Sequence, residues 1–354
     1  MTMRSQQGIS LIELMVSVAV GLLLVSGMIG LYVSQSQGSR QFQSYSRMQE
    51  NARFAFELIG RDLRMVGNTG CYRNATANTL DAGIKALWYG AVDVQALIGY
   101  EDADTSAPTT NGLRGNVLRG DALAVLRVDD ESPYEFATAA PGVGPYTLTT
   151  APANLAVDDI VLATDCQTAT VSKVTGVGGT VVTVAAPGAT AAYVANSRLY
   201  PLSGHLYYIR NNDAGNPALY RQEFNAGSTA GVEMVEGIED MQIEYGVDTT
   251  GVSDTDGDGS VDTYVKADQV EATAPGTTAA RKWTLRVLSV RVSLLIRSQE
   301  DNIATNAQSF TGGGEPDWPF DVPTVVDDGA AAVAQDRRLR RQFTATFALR
   351  GRVP

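Results

Sequence analysis

Residues 9–33, ISLIELMVSVAVGLLLVSGMIGLYV, form a run of 25 residues with one charged side chain, Glu13. At about 1.5 Å per residue a helix of that length spans roughly 37 Å, more than the ~30 Å hydrocarbon core of a bilayer. A secretory signal peptide has an apolar stretch of about 7–15 residues followed by a small-residue cleavage site. This run is far longer, and no A-x-A pattern follows Leu31. The segment therefore reads as a membrane helix. An ordinary single-pass anchor explains its length but leaves Glu13 and Gly8 as accidents. A charge at mid-membrane costs about 2.5–3.5 kcal/mol on insertion scales, so Glu13 calls for a partner of opposite sign. Arg4 on one side and Arg40 and Arg47 on the other give no orientation from basic residues. A long acidic domain with a cysteine pair favours the outside.

Gly8 closes a short polar leader, and Ile9-Ser10-Leu11-Ile12-Glu13-Leu14 follows it. This arrangement closely resembles the type IV prepilins, with Ile9 and Ser10 standing where most members have Phe and Thr. The resemblance implies that a prepilin peptidase cuts between Gly8 and Ile9 and that the new terminus at Ile9 is N-methylated. It further implies that Glu13, fifth in the mature chain, pairs with the terminal amine of a neighbouring subunit. The physics agrees: opposite charges in low dielectric offset each other's desolvation, and such a pair sets register.

Beyond the membrane run, Phe42, Tyr45, Met48, Ala52, Ala55, Ile59, Leu63 and Val66 recur every three or four positions, with Arg47, Glu50, Arg53, Glu57, Arg61 and Arg64 between them. This periodicity predicts an amphipathic continuation ending at Gly67-Asn68, a good left-handed cap. A helix from Ile9 to Val66 would run about 87 Å. Gly21, Gly27 and Gly30 each weaken its membrane half by about 1 kcal/mol relative to alanine. The segment RMQENARFAFELIGRDLRMVGNTGC resembles the PilW family of minor pilins at the end of their stalk.

After Gly70 the pattern becomes short β-branched or alternating runs: 121–128, 159–164, 180–186, 205–210, 218–224, 241–247, 285–298 and 342–352. In 285–298, Leu288, Val290, Val292, Leu294 and Ile296 point to one face and Ser289, Arg291 and Ser293 to the other, which predicts one buried and one wet face. The antiparallel sheet so implied needs an apolar partner, and the distal half of the helix offers one. Stretches 105–115, 139–145, 249–278 and 311–329 read as loops.

The loop YGVDTTGVSDTDGDGSVDTYV carries the sharpest chemical signal. Asp254, Asp256 and Asp258 take the first, third and fifth places of a calcium loop, Gly259 the sixth, Ser260 the seventh through its carbonyl, and Asp262 the ninth. The twelfth place, normally a bidentate glutamate, is Val265, so water or a distant acid such as Asp248 or Asp268 would complete the shell. That predicts weak calcium binding, with a Kd of about 10⁻⁴–10⁻³ M. The alternative is an acidic solvated turn; PilW-like sequences often carry a similar Asp/Gly run. Cys71 and Cys166 are the two cysteines. In an oxidising compartment they are expected to pair, and a loop near 100 residues is worth about 4–5 kcal/mol by chain entropy.

His205, the one histidine, is expected to be a strand residue. The net charge of −12 repels nucleic acid. The arginines at 337, 338, 340, 341, 350 and 352 lack interleaved aromatics for base stacking. A solvated strand end or a contact with an acidic neighbour is expected there. VRVSLLIRS and the Arg-rich ending also resemble the PilW pattern. There is no G-x-S-x-G, P-loop or H-E-x-x-H, and one histidine gives no convincing triad. An enzyme is not expected.

The expected fold is α+β and type IV pilin-like: leader 1–8, transmembrane helix 9–33, amphipathic stalk helix 34–67 and a β-rich periplasmic or extracellular domain 68–354. The resemblance implies a minor pilin that primes pilus assembly and sits at the pilus tip. Its implied partners are other minor pilins, the major pilin, the prepilin peptidase, the inner membrane and a tip adhesin. A J-type pseudopilin of type II secretion and a calcium-dependent tip adhesin are the alternatives. Because a side chain at position 8 blocks the peptidase, Gly8→Val should leave a precursor about eight residues heavier. Intact mass checks this, and a mature Ile9 terminus in the variant would contradict it.

Overall fold

One continuous helix, α1 (Leu11–Arg64), organises the molecule. The structure is a computed structural model that describes residues 11–67, 70, 77–85, 96–101, 120–129, 133–224, 231–253, 256–276, 278, 282–304, 306, 308–310, 332–333 and 336–349. The 54 residues of α1 make it about 81 Å long. Its membrane-length apolar window has no share buried inside the protein, and large side chains from Leu11 to Val33 are exposed. The distal half is different: Met48, Ala52, Ala55, Ile59 and Leu63 are buried at three- and four-residue spacing. Phe42 and Tyr45, expected on the same stripe, stay 76% and 39% exposed, because burial of the stripe begins only at Met48. Tyr45 is instead faced by the Arg341 guanidinium, 5.8 Å from its ring centroid. At Gly60 the helix backbone presses on Phe347, and a Cβ there would run into the ring.

The helix ends as the sequence pattern predicts. Met65 and Val66 donate to the carbonyls of Asp62 and Leu63, tightening the last turn. Gly67 takes φ +71° and donates to the Leu126 carbonyl, so the cap also fastens the helix to the first sheet.

The strands are β1 (Leu97–Tyr100), β2 (Ala122–Val128), β3 (Ile160–Thr164), β4 (Ala169–Gly178), β5 (Val181–Ala185), β6 (Arg198–Asn211), β7 (Pro217–Phe224), β8 (Val232–Glu236), β9 (Ile238–Val247), β10 (Thr263–Val265), β11 (Val287–Arg297) and β12 (Arg340–Ala348), besides several two-residue ladders. Two larger sheets stand where one was expected. The first runs β8-β7-β6-β3-β4-β5, with β2 also on β6 and β1 on β2; the second runs β10-β9-β11-β12. Pairing is antiparallel throughout these strands, while Ala77–Asn78 lies parallel to Thr170–Val171 in β4. The long strand β6 belongs to two neighbourhoods. Residues 198–201 pair with β3, and 202–211 pair with β2 and β7.

That bend separates two cores. The main one joins α1 to both sheets. A satellite core gathers Phe136, Tyr146, Leu148, Val161, Val174, Val182 and Tyr193, with Phe136 stacked on Tyr146 at 4.8 Å and Tyr193 edge-on to both. Segment 139–145, expected as loop, contributes Ala140–Pro141 to a short ladder with Ala192–Tyr193, and 249–278 contains β10 and short helical turns at 267–273. Segments 105–115 and 311–329 lie outside the described residues. In β11 the face expected to be wet is covered: Ser289 and Ser293 are 5% and 6% exposed, bonded to the Tyr264 and Thr344 hydroxyls. β11 lies between β9 and β12, and the residues beside it supply side chains that cap this face. Arg291 stacks on Tyr264 at 3.6 Å and pairs with Glu244.

One polar cluster sits inside the helix–sheet seam. The Asp62 carboxylate is fully buried, with Oδ2 lying 2.6 Å from His205 Nδ1 and accepting the Tyr207 hydroxyl at 2.5 Å. His205 is thus the strand residue expected, and also the partner of a helix carboxylate that the pattern did not reveal. Burial alone would raise the Asp62 carboxyl, but the bonds from His205 and Tyr207 and the nearby Arg127 hold it below its ordinary 3.8. A carboxyl held lower in the folded state contributes stability above its unfolded pKa, and loses it as pH falls through the folded one. Thermal melts of the detergent-solubilised protein should therefore show Tm falling below about pH 4. Asp62→Ala, which takes from buried His205 its carboxylate partner and from Tyr207 the nearer of its two acceptors, should cost about 1–3 kcal/mol at pH 7 and flatten that acid limb.

Candidate functional site

Glu13 stands in the first described turn of α1, exposed, with no side-chain partner among the described residues. The backbone carbonyl of Glu13 accepts the Ser17 hydroxyl at 2.6 Å. The large apolar side chains around it, Leu11, Ile12, Leu14 and Met15, are 57–75% exposed. One charge set in a bare apolar helix is a surface made to be covered by lipid and by other helices. Gly8 and Ile9 lie outside the described residues.

Cys166 occupies the turn after β3 at φ 70°, its N–H donating to Thr164 Oγ1. It is disulfide-bonded, and no described cysteine is free. Cys71 lies outside the described residues.

The acidic loop connects β9 to β10 and runs from Asp248 to Asp262; Asp254 lies outside the described residues. The carboxylates of Asp256, Asp258 and Asp262 do not converge on one point. Asp256 accepts the N–H groups of Val252 and Ser253, which together with Arg286 pull it down to about 2. Asp258 takes the Ser260 hydroxyl and N–H, and Asp262 takes the N–H and hydroxyl of Thr249; both carboxyls are lowered for that reason. Among the described residues no three His, Cys, Asp or Glu side chains are placed to hold a metal ion. What faces Asp256 is Arg286, from a single π-helical turn (Lys282–Arg286) leading into β11, with Nη2 at 2.6 Å from Asp256 Oδ1. Asp256, together with Asp248, faces a guanidinium, and Asp258 and Asp262 are turned onto local hydroxyl and amide donors.

Of the described arginines of the Arg-rich end, Arg337 and Arg341 are exposed, as expected of a solvated strand end, but Arg340 is not. Arg340 is buried, with Nε at 2.6 Å from Glu239 Oε2 and Nη1 at 2.6 Å from Asp336 Oδ1. Arg338 donates to the carbonyl of Ser298, and Arg337 to Asn302. Periodicity could not show this, since Glu239 is 101 residues from its partner. Arg350 and Arg352 lie outside the described residues.

Comparison with known proteins gives these positions a setting. The family model described as PilW, type IV pilus-assembly protein W, matches residues 206–351, and the prokaryotic N-terminal methylation motif matches 3–29. The chain thus carries a segment similar to the PilW family behind a segment that matches a prepilin methylation motif. The motif spans Gly8, Ile9 and Glu13; the PilW match spans most of β6 through β12, including the acidic loop. The module around the satellite core, 133–200, falls outside both. A solved structure of a type IV-like pilin from Thermus thermophilus is similar over 87% of this chain and 99% of that one, at 11% identity and TM-score 0.34. No curated protein sequence matches. The PilW model is described as that of a pilus-assembly protein.

Proposed function

We propose that this PilW-type minor pilin is cut after Gly8, methylated at Ile9 and held in the inner membrane with its sheets on the outer side, and that it joins other minor pilins to prime a pilus and remains at its tip. The observation that carries this reading is the division of α1. The half from Leu11 to Val33 is bare and apolar around Glu13, while the half from Met48 is buried under sheet. Such a helix leaves lipid only by packing on other helices of the same kind. The methylation motif over 3–29 supports processing and an interaction with the prepilin peptidase. The tip placement rests on bulk: a second cored module at 133–200 enlarges the head beyond what a repeated filament position readily takes.

Two experiments follow. Glu13→Ala removes a charge from the apolar segment, so insertion and cleavage should proceed normally while surface pili disappear. Immunoblots for the mature form with pilus counts by electron microscopy check it, and normal pilus numbers would refute the assembly role. The Cys71–Cys166 pairing is also part of this reading, consistent with the bonded state of Cys166. Unreduced protein should resist thiol alkylation, and reduction should expose two thiols and lower the Tm.

A further inference from the structure

The geometry points to Arg286 as the resident cation of the acidic loop: a guanidinium fills the oxygen cage that its Asp/Gly spacing suggests for calcium. Four oxygens converge on this side chain, which is 1% exposed. Nη1 donates to the Thr250 carbonyl at 2.8 Å and lies 3.4 Å from Asp248 Oδ1. Nη2 donates to the Ser253 carbonyl and to Asp256 Oδ1. Two carboxylates and two backbone carbonyls are the donor set a hard divalent ion takes. Here one positive charge, the guanidinium, already faces these two carboxylates.

The rest of the loop is built around the guanidinium. Asp248 is 2% exposed, and its carboxylate also accepts the N–H groups of Thr250 and Gly259, while its own N–H donates to the Arg286 carbonyl. Arg286 and Asp248 are thus fixed to each other through backbone and side chain at the end of the β9–β11 ladder. Gly257 is required by this packing, since a Cβ there would strike the guanidinium and the Asp248 carboxylate. Gly251, at φ +83°, lies where a Cβ would strike the Asp256 carboxylate. Of these two glycines, Gly257 is accounted for by the close approach of the arginine and Gly251 by that of the Asp256 carboxylate. A divalent ion entering this cage would have to displace or sit beside a buried positive charge, which opposes binding.

The test uses the full-length protein in detergent, in EDTA or in about 5 mM calcium, a concentration above the Kd of weak extracellular sites. Wild-type Tm should be the same in both, to within a degree. Arg286→Met, close in volume but uncharged, should melt several degrees lower in EDTA. A wild-type rise of a few degrees with calcium, or an Arg286→Met protein as stable as wild type, would overturn the assignment. Should that variant not fold, Asp256→Ala, at the exposed edge of the cage, provides the second reading by hydrogen exchange. Loss of its charged hydrogen bonds should speed the Val252 and Ser253 amides at least about tenfold, with or without calcium. Unchanged exchange, or exchange in wild type that calcium slows, would equally overturn it.

Discussion

The buried stripe of α1 from Met48 to Leu63 is the surface on which both sheets meet. A helix of this length has no stable isolated fold in water unless one face is covered, and a sheet must bury its apolar face against something. Each need answers the other. The covering stops at Met48, so the proximal half is left to lipid or to other subunits. The same stripe explains why small residues fall where they do: Ala52, Ala55 and Gly60 let strands approach the helix axis, and Phe347 fills the space that Gly60 leaves.

Buried charge collects at the seams between these elements rather than within any one of them. Asp62 joins helix to β6, Arg340 joins β12 to Glu239 in β9, and Arg286 joins the start of β11 to the loop after β9. Each group would be costly alone in a low-dielectric interior and is held by partners from another element. Such contacts add little net stability compared with apolar packing, but any other arrangement of the same elements leaves a charge unpaired. They favour one docking of helix and sheets over the alternatives. The exposed Glu13 stands apart from these, with no side-chain partner among the described residues.

Much of this was legible beforehand wherever a local period carries it. The helix, its membrane half, the Gly67 cap and most of the long strands follow from spacings of three, four or two residues. The misreadings arose where the answer depended on a distant residue. Ser289 and Ser293 look solvent-facing until Tyr264 and Thr344 are brought over them. Arg340 looks like part of a surface patch until Glu239 is placed beside it. In the acidic loop, too, the Asp and Gly spacing that suits an ion also suits a guanidinium, and Arg286 lies 30 residues from Asp256.

The sequence by itself determined the class of molecule. A 25-residue apolar run with one carboxylate behind Gly8 has few physical uses, and an amphipathic stripe continuing it demands a covering sheet. Tertiary structure alone decided which charges are spent internally and which remain for other molecules. Asp62, Arg286 and Arg340 find hydrogen-bonding or ionic partners within the fold, and Glu13 has no side-chain partner among the described residues. Periodicity reports which face a side chain takes, because that is fixed by backbone geometry within a few residues. The partner it meets there depends on how separately formed elements stack, and nothing local in the chain encodes that distance.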